Sequence, residues 1–400
     1  MGFYLGIRIN KMVNMDNLYF NEEHLMLREM VRDFAQKELK PIAQEIDKSG
    51  EFPKESIKKM AKLGLMGIPW PENYGGTGMD IRALVIAIEE IGKVCCSTAA
   101  TMMAHTSLGT GGLYYFGSEE QKKKYIPQLS SGKIIGSFGL TEPNAGSDAG
   151  NTQTVAVLDG DEFVVNGQKV FCTNAGFAGL ITFTAQFIRN KKTEGIGAFI
   201  VEKGTKGLRI GPPEKKMGWK ASDTRTVYFE DMRIPKSNIV GSPKSGFRQF
   251  LETLTSGRVT IGALSLGTAQ GGYEAALKYS KERNAFGKTI SNFQGVSFKL
   301  ADMATKLEAS KHLVYHSAYL LDKGHNVIKE AAMAKLFSSE AAMEITTNAI
   351  QIHGGYGYIR DYDVERFFRD AKILEIGEGT SEIQRIVIAR EILKSWKTSS

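Results

Sequence analysis

Hydrophobic positions along the chain change their period twice. From about Asn21 to Leu129 they recur at helical spacing: Leu27, Met30, Val31 and Phe34 fall at i, i+3, i+4 and i+7, one face of a 3.6-residue turn. Pro41 has no N–H to give, so it ends or kinks that first helix. Glu55–Leu65, Asp80–Val94 and Glu119–Gln128 repeat the theme, with Asp80 placed to cap its helix. From about Ile134 to Val240 the period drops to two. Phe163–Val165, Lys169–Cys172, Leu180–Ile188, Gly197–Val201 and Thr226–Phe229 read as strands, and Pro235 closes the last. Asn166-Gly167 separates two apolar runs and predicts a type I′ hairpin turn, because both residues accept positive φ. Strand follows strand without a helix between, which predicts an antiparallel β domain and no βαβ unit. From about Gly246 the helical period returns in Phe247–Arg283, Phe293–Leu321, Asn326–Ile352 and Ser381–Lys394, enough for an antiparallel bundle. The expected architecture is α+β and multidomain: an α-helical domain over 15–132, a β domain over 133–245 and a helical bundle over 246–397.

Composition narrows the class. Four hundred residues exceed one typical core and suit two or three domains. With 42% hydrophobic and 24% charged residues the chain is globular and not disordered. A net charge of +7 raises nucleic acid as a partner, but Lys and Arg interleave with Glu and Asp. The one dense run, Lys122–Lys124, follows Glu119-Glu120 on what reads as a solvated helix face. A mild basic excess suits a phosphorylated small molecule or an acidic protein better, so no nucleic acid is expected. Three cysteines, Cys95, Cys96 and Cys172, form neither a disulfide framework nor zinc spacing. That predicts a reducing compartment and no metal. No apolar run reaches membrane-span length, and Met1–Asn14 has neither a signal core nor a cleavage site. A cytoplasmic location is therefore expected, with Met12 or Met15 as alternative first residues.

Candidate chemistry concentrates in a few stretches. Glu378 stands between Gly377 and Gly379, an unusual setting for a charged residue, since glycine admits close backbone approach and rare dihedrals. Ser381-x-x-Gln384 then reads as a capping box opening the last helix. Taken alone, this pattern fits a plain loop glutamate beside a helix start. Gly139–Asp148 is rich in glycine, hydroxyl and carboxylate residues, and serves either as an ordinary turn or as a set of donors for a polar ring or phosphate. Neither a P-loop nor a G-x-G-x-x-G fingerprint is present. His312 and His316 are spaced i, i+4 without the H-E-x-x-H glutamate, the pattern of a packed or surface pair; His353 beside Gly354-Gly355 identifies nothing by itself. Arg258 follows Ser256-Gly257 and opens a small-residue run, which suits close helix packing or an arginine near a ligand.

Together these stretches resemble the acyl-CoA dehydrogenase family over about Asn21–Lys394. The resemblance rests on Gly139–Asp148, Asn166–Asn174, Arg283–Gly287 with Phe293-Gln294, Gln351–Gly357 with Arg369-Asp370, and Glu378–Arg385, in the family's order and spacing. It implies a helical domain, a β domain and a four-helix bundle, usually assembled as a homotetramer with FAD bound between β domain and bundle. By similarity Phe138, Leu140, Thr141, Gly146, Ser147, Phe171 and Thr173 line the flavin, Thr141 and Thr173 offering hydrogen bonds to its polar edge. Arg283, Phe286, Phe293, Gln294, Gln351, Gly354 and Gly355 are implied to reach the FAD of a neighbouring subunit, with Thr380 and Glu382 completing the site. Ser147, Thr255, Arg258, Gly377 and Gly379 are implied to meet the acyl-CoA. Glu378 is the implied base, removing the α-proton of a saturated acyl-CoA while the β-hydride passes to flavin N5, giving a 2-enoyl-CoA. Electrons then leave to an electron-transfer flavoprotein.

Three departures bear on substrate and base. Gly377 stands where straight-chain enzymes often carry tyrosine, which predicts a wider pocket for a short acyl group that is branched or cyclic. Phe171 replaces a frequent tryptophan and keeps an aromatic face. Gly257 matches the position from which some branched-chain members supply their base, so the role falls to Glu378. Rival readings share the fold. An acyl-CoA oxidase usually runs much longer; against a nucleic-acid-associated relative stand the absence of a basic extension and the presence of Glu378, and a catalytically silent assembly factor would not need that base.

Overall fold

The computed structural model describes residues 16–397, so Met12 and Met15 lie outside the described residues. The first segment is helical. Helix α1 (Glu22–Phe34) starts at Asn21, whose Oδ1 accepts from His24 N at 2.9 Å while His24 Nδ1 accepts from Asn21 N at 3.2 Å. The helix widens to a π turn over Ala35–Leu39, just ahead of Pro41. Helix α2 (Ile81–Gly92) is capped by Asp80, which accepts from Ala83 N at 3.0 Å. Helix α3 (Glu119–Ser130) carries the lysine run; Lys122 pairs with Glu119 at 3.2 Å and Lys124 with Glu202 at 2.7 Å, as a solvated face predicts.

The middle segment is one twisted sheet of eight strands: β1 (Ile135–Gly139), β2 (Val155–Asp159), β3 (Glu162–Thr173), β4 (Ala178–Arg189), β5 (Lys192–Glu202), β6 (Leu208–Pro213), β7 (Thr224–Pro235) and β8 (Ile239–Val240). The order is β6-β7-β3-β2-β4-β5-β8, with β1 added to β4. Pairings are antiparallel except β1–β4 and β2–β4. Phe163, Phe183, Phe187, Phe199 and Phe229 fill the sheet's own core.

The Asn166-Gly167 hairpin does not form. Strand β3 runs straight through it, and the register against β7 slips between Val165 and Gly167, which is a bulge. Asn166 turns its side chain across to Asp231, accepting from the Asp231 N–H at 2.8 Å and donating to its carboxylate at 3.0 Å. Gly167 takes φ 141°, and any Cβ there would strike Thr154. The residue pair that suits a turn here serves a close crossing instead. The actual β2–β3 turn is at Gly160 and Asp161, paired Asp159 to Glu162.

The last segment holds α4 (Gly246–Glu282), α5 (Gln294–Asp322), α6 (Ile328–His353), α7 (Val364–Ala371) and α8 (Ser381–Lys397). Helices α4, α5, α6 and α8 form the bundle, and α2 packs onto α4 so that the first and last segments share one apolar core. The small-residue run of α4 makes that contact possible: a Cβ at Gly267 would meet the Glu89 carbonyl of α2. Helix α7 ties all three segments together. Arg369 binds Asp47 at 2.7 Å and the Met217 carbonyl at 3.2 Å, and Asp370 accepts from Trp219 N at 2.6 Å.

Candidate functional site

The chain enters the site through a turn ending at Gly377, whose N–H donates to Ile373 O at 2.8 Å. Two consecutive residues then take left-handed dihedrals, Glu378 at φ 55° and Gly379 at φ 94°. For glutamate that costs on the order of 1–3 kcal/mol and needs surroundings that over-determine it. They are present. Lys335 Nζ of α6 donates to Gly379 O at 2.8 Å. Gln384 Nε2 of α8 donates to the same oxygen at 2.9 Å and to Glu378 O at 3.3 Å. Gly379 must be glycine twice over, for its φ and because a Cβ would come within 2.7 Å of the Gln384 amide.

The predicted capping box is displaced by one residue. Thr380, not Ser381, caps α8: its Oγ1 accepts from Ile383 N at 3.3 Å and its carbonyl accepts from Gln384 N at 2.9 Å. Ser381 Oγ is buried with no partner, and the Gln384 side chain is committed to the loop carbonyls, so it cannot close a box. Glu382 is exposed on the first turn.

The Glu378 side chain reaches over Gly257 of α4. A Cβ at 257 would overlap the carboxylate and stand 3.0 Å from Leu108 Cδ2. Glu378 is half-buried as a residue, yet its Oε2 is shielded from solvent and has no hydrogen-bond partner within the protein. Burial pushes its pKa up to about 7, against the pull of Lys335 and then Arg258. Burial lowers Lys335 to about 8, opposed first by Glu378. Arg258 is buried beside Gly257, is lowered from its ordinary value by burial, and leaves Nε unpartnered. Thr255, one turn earlier, bonds Leu251 O at 3.3 Å. A carboxylate held near pH 7 with one lone oxygen facing two cations is suited to taking a proton at neutral pH.

A second set of residues gathers on the sheet. Lys169 of β3 is fully buried and binds Glu142 at 2.6 Å, Leu140 O at 3.1 Å and Thr184 Oγ1 at 3.0 Å. Glu142 also accepts from Gln153 N at 2.6 Å and Thr154 N at 3.1 Å, so this pair fixes the Gly139–Asp148 loop from beneath. Gly146 and Ser147 lie exposed at its tip, and Thr141 O accepts from Val170 N at 2.8 Å. Ser137 Oγ reaches Thr173 O at 2.6 Å, and Phe138 stacks on Phe250 of α4 at 4.2 Å. A register shift between Lys169 and Cys172 turns Phe171 outward at φ 57°, with 67% of its surface exposed.

The remaining predicted residues form a separate cluster at the far end of α6. Phe286, φ 51° and 95% exposed, tips a small hairpin with Gly287; Phe293 lies 6.0 Å from it. Arg283 stands 5.7 Å over Tyr356. A cavity of about 480 Å³ is lined by Tyr279, Arg283, His353, Gly354 and Gly355, among others. Gln294 and Gln351 are exposed on the adjoining first turn of α5 and last turn of α6. Lys335 and Gly354 are 19 residues apart along one helix, a separation of about 28 Å at 1.5 Å per residue. The predicted residues therefore fall into three groups: those around Glu378, those on the sheet, and this distal cluster. Among the described residues no group of three or more His, Cys, Asp or Glu could hold a metal ion, and no helix is long and apolar enough to cross a membrane.

Three family models, described as the N-terminal, middle and C-terminal domains of acyl-CoA dehydrogenase, match residues 21–133, 137–232 and 244–393. The chain belongs to the acyl-CoA dehydrogenase family. It is 49% identical to the short-chain specific acyl-CoA dehydrogenase of Clostridium acetobutylicum, over 93% of this chain and 98% of that protein. It is 46% identical to the acryloyl-CoA reductase (NADH) of Anaerotignum propionicum, over 98% and 100%. A chain from the Acidaminococcus fermentans study of flavin-based electron bifurcation by an electron transferring flavoprotein superposes with a TM-score of 0.91 at 46% identity, over 94% of this chain and 98% of that one.

As an acyl-CoA dehydrogenase the chain is an FAD-dependent oxidoreductase, and its residues fit that cofactor. An outward aromatic held at positive φ, beside a loop pinned by a buried ion pair, makes a rigid cradle for a planar ring. Lys169, Glu142, Lys335 and Gln384 are the residues that sequence reading missed. Lys169, Glu142 and Gln384 sit inside the Asn166–Asn174, Gly139–Asp148 and Glu378–Arg385 stretches without having been given these roles, whereas Lys335 lies in none of them.

Proposed function

We propose that this acyl-CoA dehydrogenase oxidises a short acyl-CoA thioester, branched or cyclic groups included, to its 2-enoyl-CoA, with Glu378 removing the α-proton. The observation that carries this reading is the Glu378 carboxylate, shielded and unpartnered at Oε2 above Gly257. A thioester activates its α-proton weakly, so a base needs a raised pKa, and burial provides it. Bound FAD supplies the acceptor for the hydride leaving the β-carbon. Phe138, Leu140, Thr141, Gly146, Ser147, Phe171 and Thr173 would hold its ring. The backbone N–H of Glu378 would orient the thioester oxygen and stabilise the charge that develops there. Ser147, Thr255 and Arg258 would meet the CoA thioester. The distal cluster from Arg283 to Gly355 would serve a second copy of the chain in a homotetramer, which the separation of about 28 Å along α6 supports.

The short-chain name of the Clostridium relative supports a small acyl group. Gly377 supports width: a Cβ there would touch only Ile373, at 3.4 Å to its carbonyl and 4.0 Å to Cγ1, so packing does not demand glycine. A second reading runs the same site toward reduction of a 2-enoyl-CoA, as the name of the Anaerotignum relative suggests. With its carboxyl raised by burial to about 7, Glu378 can give as well as take the α-proton near neutral pH. Electron-transfer flavoprotein is the proposed redox partner, and the three buried free thiols suit a reducing, cytoplasmic setting.

Anaerobic titration of the flavin-loaded protein with a panel of acyl-CoA thioesters tests the reading. Bleaching by short thioesters is expected, and failure of every saturated thioester to bleach would sink the oxidation. Rates favouring butyryl-CoA over every branched and alicyclic member would remove the claim of a wide pocket.

A further inference from the structure

Lys335 is the one feature of the site that the reaction has not yet used. It is fully buried on α6, and its ammonium bonds the Gly379 carbonyl at 2.8 Å. Among the described residues no carboxylate stands in ion-pair contact with it, which is rare for a buried lysine. The charged groups facing it are Glu378 and Glu375 from the loop region, Glu340 from its own helix and Arg258 from α4. Glu378 faces Lys335 and Arg258, and Arg258 faces Arg390 of α8 as well.

Resting on the reading that Glu378 is the base, we infer that Lys335 is a positioning residue for the proton transfer. Its ammonium clamps Gly379 O so that Glu378 stays left-handed above Gly257, and its charge sets the pH range in which the carboxylate is ionised.

Two observations separate this role from simple structural support. The Gly379 carbonyl also accepts from the Gln384 amide at 2.9 Å, so the hydrogen bond is duplicated while the positive charge is not. The shielded Oε2 of the carboxylate finds no hydrogen bond within the protein, so what the protein offers that oxygen is the field of nearby cations. Arg258 supplies part of that field, but it lies next to Gly257 on α4, on the side given to the acyl-CoA. Lys335 comes from α6, and although the Gly379 that it bonds is given to the acyl-CoA, no substrate contact is assigned to Lys335 itself. Its charge is therefore present before and after the thioester binds.

The test compares K335M, K335R and Q384M with the unaltered flavoprotein. Rapid-mixing bleaching by butyryl-CoA is followed across pH. In K335M the acid limb of the rate profile should move toward alkaline pH by about one unit, the effect of losing one close opposite charge. K335R should restore the midpoint, and Q384M should slow the reaction without moving it. A midpoint that stays put in K335M, with only a uniform loss of rate, would overturn the inference. A readout without turnover accompanies it: the pH at which the melting gap between E378Q and the unaltered chain stops growing should rise, and the gap above it widen, when K335M is added to both. If that pH is unmoved, Lys335 does not act on Glu378. If instead the unaltered protein fails to bleach with any thioester while the melting shift appears, the dehydrogenation reading fails and the coupling stands. Should K335M not retain FAD, K335Q takes its place, since it can still donate to the Gly379 carbonyl but carries no charge: the same alkaline shift is expected, and an unmoved midpoint in K335Q overturns the inference.

Discussion

Replacing Glu378 by Gln should slow the enzyme and stabilise its fold, and the second effect depends on pH in a defined direction. The folded chain holds this carboxyl at about 7 against its ordinary 4.5, with burial as the main cause. Below pH 4.5 folded and unfolded chains both carry the proton, and the carboxyl adds no penalty. Between 4.5 and 7 the unfolded chain releases its proton while the folded chain keeps it, so stability falls as pH rises. Above 7 the folded site is ionised and the full penalty remains. At 1.36 kcal/mol per tenfold in proton affinity, that penalty is at most about 3 kcal/mol, and residual solvent contact of a half-buried residue brings the expected range to about 1–3 kcal/mol. The neutral, isosteric amide escapes it. Melting curves of flavin-loaded E378Q and the unaltered protein should thus coincide at about pH 4 and separate by roughly 2–5 °C at about pH 8, with E378Q the more stable. In the same samples bleaching by acyl-CoA should fall by about 10²–10⁴-fold while FAD and thioester are still bound. A melting gap that does not change with pH would refute the buried, raised carboxyl. Near-normal bleaching would place the base elsewhere.

Two further changes probe what holds the site. K169M leaves the Glu142 carboxylate buried without its cation beneath the Gly139–Asp148 loop, and should cost about 3–5 kcal/mol in denaturant unfolding together with loss of FAD; full FAD retention at unchanged stability would show that the pair does not organise the loop. G257A puts a methyl group where the Glu378 carboxylate lies, so bleaching should fall sharply with only a small change in melting, and an unchanged rate would mean the carboxylate works from another position.

The order of helical, strand and helical segments was legible from the long apolar stretches: α1 buries Leu27, Val31 and Phe34 at helical spacing with Met30 half-buried, whereas α4 over 256–269 and β4 over 180–185 are buried without a break. Local patterns failed where a distant partner decided the outcome. Asn166-Gly167 has the composition of a turn, but Asp231 and Thr154, brought in by other strands, make it a crossing. Ser381 and Gln384 have capping-box spacing, but Gln384 is drawn to the carbonyls of Glu378 and Gly379 and Thr380 takes the cap. Within the site, Glu378 was marked by its flanking glycines. Lys335 was not, because nothing in an ordinary amphipathic helix signals that one lysine will be buried against a loop far along the chain. The resemblance already gave the Arg283–Gly355 residues to a neighbouring subunit; the distance that sets them apart from the Glu378 loop depends on the straight length of α6 rather than on any residue within it.

Helix α6 acts as a ruler. It carries Lys335 near one end and Gly354 at the other, and an α-helix neither stretches nor compresses appreciably along its hydrogen-bonded axis. Substitutions on its outer face change little, but one residue added or removed between these two points would shift one end by about 1.5 Å and turn it by about 100°. The hairpin at Phe286 and the loop at Glu378 would then no longer keep their present separation and orientation. Among variants of this chain, α6 should tolerate drift in composition and reject any change in length.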